Sequence, residues 1–164
     1  MVRRDEVRPG ERTVAAPPPT DAGLVFIGRI RTPWQDRMDC PRRGRDDGPI
    51  CRVEVFDLWR DALKDVAGYG RLEVLYWLHQ SRRDLVWQSP RNDGETRGTF
   101  ALRSPVRPNP IGTSVVHLER IEGTTLFVRG LDCLDGTPLI DLKPAREEFV
   151  PIAPPTSGDA LTET

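Results

Sequence analysis

Hydrophobic positions along the chain fall mostly in short alternating runs, the period-2 signature of strands with one buried face. Leu24-Val25-Phe26-Ile27-Gly28-Arg29-Ile30 is apolar and β-prone and predicts a first strand. Arg52-Val53-Glu54-Val55-Phe56 alternates strictly. Leu72-Glu73-Val74-Leu75-Tyr76-Trp77-Leu78 is the most β-prone segment and predicts a central strand covered on both faces. Thr99-Phe100-Ala101-Leu102 predicts another strand. So does Ser114 to Ile121, where Val116 and Leu118 face opposite His117 and Glu119. Glu122-Gly123 predicts a hairpin turn into Thr125-Leu126-Phe127-Val128, and Pro138-Leu139-Ile140-Asp141-Leu142 closes the set.

One segment departs from that period. Leu58, Ala62 and Val66 recur every four residues with Trp59 and Leu63 beside them, which predicts a helix capped by Asp57 and stopped by Gly68. The expected fold is therefore mainly β: a small six- or seven-stranded barrel with one appended helix. No GxGxxG follows a strand and no GxxxxGK[ST] loop occurs, so the fold is expected to be non-Rossmann.

The ends differ in composition from the middle. Residues 1–21 are charged and then proline-rich, and residues 151–164 are similar, so both read as flexible tails around a folded domain at 22–150. Residues 31–49 hold several Pro and Gly breaks among charges and predict a long loop, a length that usually has a function. No apolar run is long enough to span a bilayer and no secretory signal is evident, so the expected location is the cytoplasm. Cys40, Cys51 and Cys133 are odd in number and form no CxxC pair, so neither a disulfide framework nor a metal site is expected.

A net charge of −1 excludes a globally basic nucleic-acid binder, but its distribution is uneven. Residues 29–52 hold seven arginines against four aspartates, and residues 79–110 hold six arginines against three acids. Both stretches carry a net +3 and suit either a phosphate-facing surface or ordinary solvated loops.

Four segments carry candidate chemistry. In Arg103-Ser104-Pro105-Val106-Arg107-Pro108-Asn109-Pro110-Ile111-Gly112, three prolines fix φ and remove backbone donors. The resulting stiff bridge presents Arg103, Arg107 and Asn109 at low ordering cost: arginine forks for carboxylate or phosphate, asparagine for an adenine edge. Asp132-Cys133-Leu134-Asp135-Gly136-Thr137-Pro138 contains a strong Asp-Gly turn, which can be a plain hairpin or aim backbone groups at a ligand. His79-Gln80 ends the most apolar strand. Pro33-Trp34-Gln35 follows the first strand, where Trp34 suits an adenine face, a sulfonium or a plug for the barrel mouth. No Ser/His/Asp relay or HExxH is present, which disfavours hydrolytic chemistry.

Together these segments resemble the TsaA-like family. The matching pieces run from Phe26-Ile27-Gly28-Arg29-Ile30-Arg31-Thr32-Pro33, through Leu75-Tyr76-Trp77-Leu78-His79-Gln80 and Gly98 to Gly112, to Leu131 through Pro144. They occur in family order. The resemblance implies a β-barrel methyltransferase, working as a homodimer, that uses S-adenosylmethionine to methylate N6 of threonylcarbamoyladenosine beside the tRNA anticodon. Carried over by motif position, the cofactor site would comprise Pro33, Trp34, Gln35, His79, Gln80, Arg103, Thr113, Asp135, Gly136, Thr137 and Pro138. Arg103 would take the methionine carboxylate and the Asp135–Pro138 turn the adenosine, with Arg107 and Asn109 positioning the acceptor. Two rival readings stay open: an inactive barrel that binds the cofactor or RNA, and a methyltransferase with another acceptor. Where the family carries a basic run and a Pro-x-Gln patch, this chain has Pro41-Arg42-Arg43-Gly44-Arg45, and the C-terminal domain of longer members is expected to be absent.

Overall fold

A computed structural model describes residues 7–13 and 22–145. It contains nine strands among these residues: β1 (Arg12–Thr13), β2 (Gly28–Arg31), β3 (Cys51–Val55), β4 (Arg71–Trp77), β5 (Leu85–Gln88), β6 (Arg97–Gly98), β7 (Ile111–Glu122), β8 (Thr125–Arg129) and β9 (Pro138–Pro144). The described residues divide into two compact units. One comprises 22–79 and 111–145; the other comprises 7–13, ahead of β2, and 80–110, inserted in sequence between β4 and β7.

The first unit is the expected barrel. Its six strands close in the order β2-β3-β8-β7-β4-β9, every neighbouring pair antiparallel. Closure follows from the alternation: inward positions are mostly β-branched or leucine, and outward positions are mostly charged or polar. Ile30, Val53, Val74, Val116, Leu126, Val128 and Leu139 retain no exposed surface. A closed ladder leaves no strand edge to be capped or to aggregate. β7 and β8 are joined through Gly123-Thr124, where Gly123 supplies φ +60° and Glu122 pairs with Thr125, so the turn lies one residue beyond Glu122-Gly123.

Several local expectations are corrected. β4 is central, paired with β7 and β9, but only its Leu72, Val74 and Tyr76 side is buried, because a barrel covers each strand on its inner face alone. The first barrel strand begins at Gly28, and Leu24, Val25 and Phe26 are 51%, 63% and 41% exposed. β3 ends at Val55, opposite Gly28, and β9 pairs with β2 at Leu139 and Pro138, opposite Gly28 and Arg29, so the ladder does not extend to Leu24–Phe26. The appended helix is a 3₁₀ helix, Asp57–Leu63, with a second short one at Val66–Gly68. Its N-cap is Phe56, without a side-chain cap, while Asp57 instead binds Arg60 in the first turn. Short segments favour the tighter i→i+3 winding.

The second unit holds the sheet β1-β5-β6. Residues 12 and 13, within the stretch expected as a tail, form β1 against β5, and Glu11 accepts from the Ser89 amide at 2.9 Å. Residues 1–6, 14–21 and 151–164 of the expected tails, with residues 146–150 of the expected domain, lie outside the described residues. Thr99–Ala101 is a 3₁₀ turn, where a strand was expected. The buried Thr99 hydroxyl donates to Leu85 O and accepts from Gln88 Nε2, which also donates to Val106 O. Those bonds draw the backbone out of ladder geometry.

Candidate functional site

β2 ends at Arg31, and the chain turns through Thr32-Pro33-Trp34-Gln35. The segment after β8 runs back past that turn before entering β9, and a small lattice ties the two together. Ile30 N–H donates to Thr137 O and Gly136 N–H to Ile30 O, both at 2.8 Å. Asp135 N–H donates to Trp34 O at 2.8 Å, and Thr32 N–H to Asp135 Oδ1 at 3.1 Å. The Thr32 hydroxyl donates to Cys133 O at 2.9 Å, and the Thr137 hydroxyl closes its own turn on Leu134 O at 2.7 Å. Gly136 sits at φ +77°, a conformation costly to any residue with a Cβ. Trp34 is partly buried and packs against the barrel core. The sequence-selected Trp34, Asp135, Gly136 and Thr137 thus form one corner, with Pro33, Gln35 and Pro138 beside them in the chain.

A pocket of about 570 Å³ adjoins this corner, lined by Arg31, Thr32, Pro33, Pro49, Ile50, Arg52, Glu54, Phe127 and Asp135. That volume lies within the roughly 300–1,000 Å³ of small-molecule sites. Arg31 bridges Glu54 at 3.1 Å and Asp135 at 3.7 Å, and Arg52 lies 3.7 Å from Glu54. Its lining combines carboxylates, guanidinium groups and one aromatic ring, a surface suited to a planar polar ligand.

A second polar cluster enters the barrel from the same connection. Tyr76 is 3% exposed, and its hydroxyl donates to Asp132 Oδ1 at 2.7 Å and stands 2.9 Å from Ser114 Oγ. The Ser114 hydroxyl reaches the same carboxylate oxygen at 3.3 Å. Burial, reinforced by the Asp132 charge, holds the Tyr76 hydroxyl protonated far above its ordinary range. Burial also pushes Cys51 up to about 11 and raises Cys133 and Cys40, against the pull of Arg37 on the last. Protonated thiols are poor nucleophiles and poor ligands, so cysteine chemistry has no support here.

Of the remaining expected site residues, His79 is exposed just beyond β4, and Thr113 on β7 donates to Glu73 at 3.0 Å. Gln80, Arg103, Arg107 and Asn109 belong to the second unit. There Arg107 donates to Leu102 O at 3.3 Å, while Arg83 donates to Pro108 O at 2.5 Å and Asn109 Oδ1 at 3.2 Å. Sequence reasoning missed Arg83, Tyr76, Asp132, Arg52 and Phe127. Arg52 and Phe127 sit at outward strand positions, Tyr76 points inward and Arg83 and Asp132 lie in connections, and in none of these places does the sequence identify the neighbours.

A closed antiparallel barrel whose tied corner borders a polar pocket defines the class, a small non-Rossmann β-barrel domain. The particular family follows from comparison: the model of the tRNA-methyltransferase O N-terminal domain matches residues 29–149, and the chain belongs to that family. A probable S-adenosyl-L-methionine-binding protein, VirR of Rhizobium radiobacter, is 57% identical over 154 residues, which is 94% of this chain and 88% of that protein. The mouse tRNA (adenine(37)-N6)-methyltransferase is 33% identical over 151 residues, covering 82% of this chain and 35% of the mouse protein. A crystal structure of TrmO from P. aeruginosa matches with a TM-score of 0.68 and 29% identity, over 87% of this chain and 63% of that one. The chain therefore spans less than two thirds of the crystallised protein and about a third of the mouse enzyme.

Proposed function

We propose that this chain binds S-adenosylmethionine and methylates N6 of an adenosine in the tRNA anticodon loop, with threonylcarbamoyladenosine as the acceptor. The single observation that carries the proposal is the hydrogen-bonded corner between Thr32–Trp34 and Cys133–Thr137, which brings two separate family motifs into one preformed backbone surface. A bound sulfonium cofactor supplies an already activated methyl group. The protein's contribution is then alignment, which is worth up to roughly 7–11 kcal/mol where geometry is ideal.

In this reading the corner orients the adenosine through its turn backbone, and His79, Gln80, Thr113 and, for the methionine carboxylate, Arg103 are assigned to the cofactor by motif position. Arg107 and Asn109 position the acceptor, and Arg83 fixes the Asn109 amide. Unpaired anticodon-loop bases can enter such a pocket at low unstacking cost. The exposed Leu24, Val25, Phe26, Phe56 and Leu58 support assembly as a homodimer. No described helix is long and apolar enough to cross a membrane, and a tRNA substrate supports a cytoplasmic location.

The test pairs two variants. Arg103→Ala should weaken S-adenosylmethionine binding by calorimetry at least tenfold, whereas Asn109→Ala should retain binding and lose turnover on total tRNA. Unchanged cofactor affinity in Arg103→Ala defeats the assignment. The names of several relatives, which specify binding alone, favour a second reading as a cofactor-binding module. Binding without methylation of any tRNA by the wild-type chain would select it.

A further inference from the structure

The outer wall of the barrel carries a row of side chains of which only Arg31 belongs to a family motif. Register across four adjacent strands sets Arg31 opposite Arg52, Arg52 opposite Phe127, and Phe127 opposite Arg120. Residues paired across strands share a face. Their chain neighbours Ile30, Val53, Leu126 and Val128 fill the core, so this row points away from it. The Arg120 guanidinium stands 3.7 Å from the centroid of the Phe127 ring, and the same ring lines the pocket together with Arg31 and Arg52. Thr32, Pro33 and Asp135 line it as well, so the row adjoins the proposed cofactor corner.

The charges on this wall nearly cancel. Arg31 is shared between Glu54 and Asp135, and Arg120 is held by Glu122 at 2.6 Å. Arg52 is the loosest, 3.7 Å from Glu54 with its side chain 53% exposed. Such a wall does not gather phosphates by net charge. It offers flat faces, one aromatic and two guanidinium planes held by carboxylates, with a single slack cation at the rim. Flat faces of this kind stack heteroaromatic rings.

We propose that the pocket holds an unpaired RNA base neighbouring the methylated adenosine, stacked on Phe127 and its flanking guanidinium groups, with Arg52 on its phosphate. This rests on the reading of the chain as a tRNA methyltransferase. Phe127→Leu keeps apolar bulk but removes the π face, Phe127→Trp enlarges that face, and Arg52→Gln removes the slack charge. KM for total tRNA, affinity for an anticodon stem-loop RNA and S-adenosylmethionine affinity are measured on the full chain.

Phe127→Leu should raise KM for tRNA and Kd for the stem-loop about tenfold, with kcat and cofactor affinity retained, and Phe127→Trp should restore both. Arg52→Gln should lower the slope of log affinity against log salt by about 0.7, one single-strand phosphate contact. An active wild type whose Phe127→Leu variant keeps its KM overturns the proposal. So does a loss of cofactor affinity in that variant, which would make Phe127 part of the cofactor site. If Phe127→Leu fails to fold, an unchanged salt slope in Arg52→Gln overturns it alone. A wild type that binds cofactor but methylates no tRNA defeats the functional reading itself, a distinguishable result.

Discussion

Replacing Tyr76 by Phe isolates one hydroxyl inside the barrel. The ring stays, because its contacts with the core are apolar; what goes is the donor to Asp132 Oδ1, leaving that oxygen with the longer bond from Ser114. A hydrogen bond to a charged acceptor contributes about 1.5–3 kcal/mol. Asp132 is only partly buried, so water can replace part of the loss, and the lower end, about 1.5 kcal/mol, is expected. For a domain of this size that lowers Tm by roughly 5 °C, read by far-UV circular dichroism with an unchanged urea m-value.

The same hydroxyl carries a pH signature. Its folded pKa is raised above the ordinary 10.0, so its contribution is complete below pH ~10 and is lost as pH rises, when only the unfolded chain ionises there. The gap between wild type and Tyr76→Phe should therefore shrink above pH ~10, by up to about 1.4 kcal/mol per pH unit. A variant as stable as wild type at pH 7, or a gap constant from pH 9 to 11, would refute the assigned bond.

Two further outcomes follow from neighbouring contacts. Gly112 faces the Tyr76 ring so closely that a Cβ there would overlap it, so Gly112→Ala should cost about 1–3 kcal/mol in urea unfolding as the ring is displaced. Cys51, raised by burial from 9.0 to about 11, adds stability that is complete below pH ~9 and fades towards pH 11; Cys51→Ala should flatten the wild-type stability profile in that window.

Alternation made the barrel legible. Val53, Val55, Val116 and Leu118 alternate with polar neighbours in the sequence, and each lies inside, whereas Leu72 to Leu78, expected to be covered on both faces, buries only its Leu72, Val74 and Tyr76 side. The misread segments share one cause: their pattern was right but a tertiary partner was missing or an unexpected one present. Leu24-Val25-Phe26 is as β-prone as Ile30, yet the pairings of β2 with β3 and β9 reach no further than Gly28. Thr99 has the composition of a strand, but its hydroxyl is committed to Leu85 and Gln88. Asp57 looked like a cap, and a nearby arginine took its carboxylate.

The candidate site was legible to the extent that backbone geometry selects residue type. Asp-Gly-Thr-Pro announces a turn because Gly136 needs positive φ and Pro138 restarts extended chain, and that turn proved to be the corner. Side-chain roles were less accessible. Asp135 reads as a carboxylate for ribose hydroxyls, but Oδ1 already accepts the Thr32 amide and Oδ2 faces Arg31 at 3.7 Å. Its first task is to fasten the corner, and only what remains of its valence can serve a ligand. Arg52 and Phe127 could be assigned outward from their own strands, but their meeting depends on the register of β3 against β8. A one-residue slip would put both in the core, so hydrophobic burial sets that register and the composition of the outer row follows from it. The apolar interior thus decides which polar groups become neighbours on the outside, and a reading confined to motifs finds the corner while missing the wall beside it.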